Sequence, residues 1–60
     1  MRFSVNWAGK EKNFPNKADA IKFMNGLSDG SDLWFGANTL ILSRNKQPDG
    51  TFKIEDYLYD

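Results

Sequence analysis

No histidine and no cysteine occur in these sixty residues, which removes the commonest general base, the commonest metal ligand and every thiolate nucleophile. The serine and threonine hydroxyls that remain have no imidazole to activate them. A serine–lysine pair is conceivable, but any chain of this size contains both residue types. Glu55 and Asp56 are adjacent, so a strand points them to opposite faces and they cannot converge as an acid–base pair. Asp29-Gly30-Ser31-Asp32 gathers two carboxylates and a hydroxyl. It lacks the alternating spacing and distal glutamate of a helix–loop–helix calcium site and reads as a solvated loop. Gly26 and Gly30 are isolated, with no Gly-Lys-Ser/Thr after them, so no phosphate cradle is written here. The expectation is a non-catalytic chain without cofactor or metal.

Nine aromatic rings in sixty residues are the strongest positive feature: Phe3, Trp7, Phe14, Phe23, Trp34, Phe35, Phe52, Tyr57 and Tyr59. Small domains use large rings to build a core from few residues, and one helix over one sheet face accommodates about five of them. Trp34 and Phe35 are consecutive, so on a strand their side chains diverge and one faces away from the helix. Rings left outside a core and rimmed by polar groups are candidate interface anchors. Trp34, Phe35, Tyr57 and Tyr59 are therefore the candidate anchors, with Lys10, Lys12 and Arg44 as a charged rim.

The charges bound the partners. Eight basic and eight acidic side chains give a net charge of zero, so there is no global pull towards nucleic acid or an anionic membrane. Residues 1–24 nevertheless carry a net +3 and residues 25–60 a net −3. In a small domain whose halves fold onto each other, neutralisation across the sheet is the expected outcome. The longest apolar run, Leu40-Ile41-Leu42, is far short of a membrane span. The N-terminus lacks the apolar stretch of a signal peptide. A cytoplasmic location with no membrane partner is expected.

The elements that must position these residues follow from periodicity. Phe3, Val5 and Trp7 alternate with Arg2, Ser4 and Asn6, which is a strand with one buried face. Gly9 then opens a charged turn, Lys10-Glu11-Lys12. Asn16 suits a helix N-cap with Asp19 reaching back to it. Ala20, Ile21, Met24 and Leu27 form one helical stripe, with Phe23 at its edge and Gly26 at a left-handed C-terminal position. A helix of roughly ten residues is unstable alone and must dock on a sheet. Residues 28–32 read as loop. The apolar segments 33–35 and 39–44 are either one strand bent at Gly36-Ala37-Asn38 or a small hairpin, and the bent strand is preferred because a hairpin arm would have three residues. Pro48-Asp49-Gly50 turns the chain into a returning strand at 51–55. If that strand runs on, Tyr57 and Tyr59 share a face with Lys53 and Glu55.

The sequence thus predicts an α+β class chain, a single domain over 1–60, with β-α-β-β order and a three-stranded antiparallel-type sheet carrying one helix on one face. The expected function is binding another protein through an aromatic sheet face or strand edge, as a stand-alone inhibitor or adaptor. Phage and mobile-element proteins that block a host enzyme or defence complex are of this kind. A homodimer through the same surface is expected, because a marginal core gains from a second subunit. The alternative is a single-stranded nucleic-acid-binding domain using exposed tyrosines with Lys and Arg.

Overall fold

A computed structural model describes residues 2–57. The elements run β1 (Phe3–Trp7), β2 (Lys10–Phe14), α1 (Lys17–Asn25), β3 (Ser31–Phe35), β4 (Thr39–Lys46) and β5 (Phe52–Asp56). They build one antiparallel sheet in the order β2-β1-β3-β4-β5. The α+β class and the single helix agree with the pattern; the three-stranded sheet and the β-α-β-β order do not, because there are five strands.

The first extra strand is β2. Its sequence, Lys10-Glu11-Lys12-Asn13, has no apolar alternation to betray it, yet it pairs with β1 from Trp7↔Lys10 to Phe3↔Phe14. The turn is not the charged triplet but Ala8-Gly9, both with positive φ (46° and 76°), the twist that a two-residue hairpin demands. Lysines on such an exposed edge also discourage pairing with other chains.

The second correction lies at Gly36-Ala37-Asn38, which turn a hairpin rather than bend one strand. Phe35 pairs with Thr39 and Trp34 with Leu40, and Gly36 takes φ 66°. The first arm is long enough because Ser31 and Asp32 belong to β3 instead of the loop. A bulge does occur, further on: the register passes from Trp34↔Leu40 to Leu33↔Leu42, which leaves Ile41 as the extra residue. Consecutive Ile41 and Leu42 are both buried as a result.

Asn16 caps α1 as expected, its side-chain oxygen accepting from the Asp19 N–H at 2.8 Å while its amide donates to the Asp19 carboxylate at 3.2 Å. Gly26, however, is right-handed (φ −89°) and not a left-handed cap. The core is a row across three strands, Val5, Leu33 and Leu42, held in register and roofed by Ala20 and Met24 of the helix. Five rings pack around it: Phe3, Trp7, Phe14, Phe23 and Phe35. Phe3 meets Phe35, and Phe23 meets both Trp7 and Phe14, with centroids 5.0–5.2 Å apart, spacings at which aromatic pairs attract beyond their buried area. Pro48-Asp49-Gly50 sits in the β4–β5 turn as expected, with the Gly50 N–H donating to the Gln47 carbonyl. Among the described residues no helix is long and apolar enough to cross a membrane.

Candidate functional site

A nine-residue helix is about 14 Å long and cannot roof five strands. It packs chiefly on β1, β2 and β3, so the same face of the sheet lies bare over β5 and over the part of β4 beyond the buried Ile41 and Leu42. Register fixes which side chains are left there. Arg44, opposite Ile54, and Lys46, opposite Phe52, alternate with Asn45 and Ser43 on the other face. Phe52 and Ile54 therefore stand on the helix side without a helix above them. Ile54 is 53% exposed and Tyr57, just past the end of β5, is 41% exposed; these are the exposed large apolar side chains among the described residues.

Arg44 marks the border between covered and bare sheet. Its Nη1 donates to the carbonyls of Met24 (2.9 Å), which also accepts the Leu27 N–H, and of Leu27 (2.7 Å), just past the helix. A cation there also suits the negative end of the helix dipole. Its guanidinium carbon lies 3.6 Å from the centre of the Phe52 ring, a cation–π stack between neighbouring strands. Beside Lys17, the first residue of α1, an apolar recess of about 240 Å³ is lined by Phe3, Phe35, Thr39 and Ile41 together with that lysine. It is large enough for one aliphatic or aromatic side chain.

The opposite face is polar and internally bonded. Ser4 Oγ donates to Asn13, Ser43 Oγ to Asp32, and the Asn45 amide to Glu55, at 2.7, 2.8 and 3.3 Å. Trp34 lies on this face, half-buried, opposite Leu40 and Ser4. A wider cleft of about 450 Å³ opens where β1 and β3 part, between the Ala8-Gly9 turn, Gly30-Ser31-Asp32 and Asn45. Ser31, only 4% exposed, has a buried hydroxyl with no hydrogen-bond partner. No group of three or more metal-ligating side chains gathers among the described residues.

The six candidate residues that fall within the described range are thus dispersed rather than gathered. Phe35 packs on Phe3 in the core and walls the recess, while Trp34 faces the other way, as their adjacency required. Lys10 and Lys12 sit on β2, the far edge from β5, with Lys12 Nζ 5.1 Å from the Phe23 ring centre. Arg44 is engaged at the helix end. Tyr57 is exposed beside β4, and Tyr59 lies outside the described residues. Phe52 and Ile54 were the residues overlooked. Their signal was the even spacing on a strand beyond the reach of a short helix, invisible while the sheet was counted as three strands. One carboxylate titrates abnormally: the Thr51 hydroxyl and backbone N–H, both bonded to Asp49 Oδ1, hold its pKa below the ordinary 3.8.

No family model, no curated protein and no solved structure matches the chain.

Proposed function

We propose that this chain is a small non-catalytic protein-binding module, an inhibitor or adaptor whose partner docks on the helix-free face of β4 and β5. The observation that carries this reading is the exposure of Ile54 beside the Arg44–Phe52 stack, on a face whose other half is sealed by α1. Exposed apolar side chains flanked by polar groups are what interface anchors look like. The neighbouring recess beside Ile41 offers a socket for one side chain of the partner. A peptide segment lying along the bare strands would bury Ile54 and place an apolar residue in that socket. The single-stranded nucleic-acid alternative has weaker support, since the rings are dispersed and Lys10 and Lys12 lie across the sheet from Tyr57.

Selection of a displayed random-peptide library on the immobilised protein, beside titration with oligothymidylate, tests the reading. The expected peptides are rich in apolar residues, keep their affinity over a tenfold rise in salt, and lose about tenfold or more on Ile54→Lys. Oligothymidylate binding that falls steeply with salt, with no peptide enriched over the Ile54→Lys protein, overturns it.

A further inference from the structure

We propose that the outer edge of β5 pairs antiparallel with the same strand of a second copy, centred on Ile54, to give a two-fold dimer with one continuous ten-stranded sheet. Hydrogen bonds at the two ends of β5 establish which backbone groups face outwards. The Tyr57 N–H donates to the Ile41 carbonyl at 2.8 Å, and the Thr51 carbonyl accepts from the Gln47 N–H at 2.7 Å. Odd-numbered residues therefore point towards β4, and strand alternation turns the N–H and C=O of Phe52 and Ile54 away from it. Two copies with their helices on the same side of the joined sheet must pair even with even residues and odd with odd.

Side-chain charge then selects the register. Centred on Ile54, the pairing sets Lys53 opposite the partner's Glu55, and Glu55 opposite the partner's Lys53, both on the polar face. Within the chain these two residues stand opposite Asn45 and Ser43, so no charge of the β4 partners competes. A shift to Lys53 as centre opposes lysine to lysine, and a shift to Glu55 opposes glutamate to glutamate. The other edge is built the opposite way: self-pairing of β2 centred on Glu11 or on Lys12 sets like charges together, which is destabilising.

The inference goes beyond the docking face, which stays open in the dimer. Joining two β5 edges lays two bare faces side by side as a floor of four strands, roughly 15 Å across, with a helix at each end. A five-residue edge is short of a standard interface, so association is concentration-dependent, with a dissociation constant of about micromolar or weaker.

Sedimentation equilibrium on the wild type, Lys53→Glu, Glu55→Lys, their equimolar mixture and the double swap tests the pairing. Lys53 is exposed and Glu55 half-buried, with uncharged neighbours on β4; Glu55→Lys also removes the bond from the Asn45 amide, so circular dichroism checks each fold first. The wild type is expected to dimerise. Each single variant should dimerise about tenfold or more weakly, because it sets like charges opposite twice. The mixture and the double swap should return to wild-type mass, since both restore opposite charges. In the wild type and the double swap, hydrogen exchange at the Ile54 amide should slow as protein concentration rises, and in the single variants it should slow only at about tenfold higher concentration. A wild type that stays monomeric to about millimolar concentration, single variants that dimerise as well as the wild type, or a mixture that does not recover overturns the proposal. The charge swaps leave the helix-side face untouched. Peptide binding by a monomer would therefore sink only the dimer, and a dimer that binds no peptide would sink only the docking face.

Discussion

The guanidinium of Arg44 lies between the carbonyls of Met24 and Leu27 and the ring of Phe52. Both charge-assisted bonds, at 2.9 and 2.7 Å, leave the single nitrogen Nη1, which an ammonium could imitate, whereas the Phe52 stack needs a plane. Arg44→Met should cost about 2 kcal/mol in urea unfolding, and Arg44→Lys should recover only part of it; full recovery would show that the stack contributes nothing there. Ser31 presents the reverse case. Its buried hydroxyl has no partner, so Ser31→Ala removes a desolvated polar group at little packing cost and should raise stability by about 1 kcal/mol. A loss of stability would mean that the hydroxyl is satisfied. Asp49 sets a pH dependence. Its pKa is depressed by Thr51 in the folded chain, so its contribution is full above about pH 4 and is lost as pH falls through the folded value. Thermal unfolding of Asp49→Asn should accordingly lack that part of the acid destabilisation.

Hairpins and helix differ in how openly the chain writes them. α1 was legible because Asn16, Asp19 and the Ala20–Met24 stripe combine a cap with a period. β1, β4 and the Pro48-Asp49-Gly50 turn were legible because alternation or turn chemistry stands out there. β2 was not, because an edge strand of lysines has no apolar face to show, and its turn uses Ala8 where asparagine or glycine is usual. That alanine sits at φ 46°, which costs an L-residue energy. Ala8→Asn, giving Asn-Gly, should stabilise the β1–β2 hairpin by about 0.5–1 kcal/mol, read as a higher midpoint in thermal unfolding; a fall would show that the turn is not held in that conformation. The Leu40-Ile41-Leu42 run hid its bulge, because three apolar residues fit either face. The site was obscured by the same miscount. A helix that covers three strands leaves nothing bare on a three-stranded sheet, so nothing in the spacing singles out Phe52 and Ile54, whereas Trp34 and Phe35 stand out by being consecutive. The divergence of that pair was readable from spacing, but spacing does not say that Trp34 would land on a polar, internally bonded face.

Over the whole molecule the two halves lie side by side instead of one upon the other. The net-basic residues 2–24 hold β1, β2 and α1, and the net-acidic described residues 25–57 hold β3 to β5. Charge is therefore separated along the sheet rather than neutralised across it, with lysines at the β2 edge and the apolar, bare surface towards β5. Binding at that end should be driven by burial of apolar area, which salt hardly weakens. Amide-resonance mapping of the strongest selected peptide on the isotopically labelled protein tests this most directly. The account predicts that the shifted resonances cluster on residues 39–46 and 52–57. Shifts confined to β2 or to the surroundings of Trp34, with residues 52–57 unmoved, would contradict it.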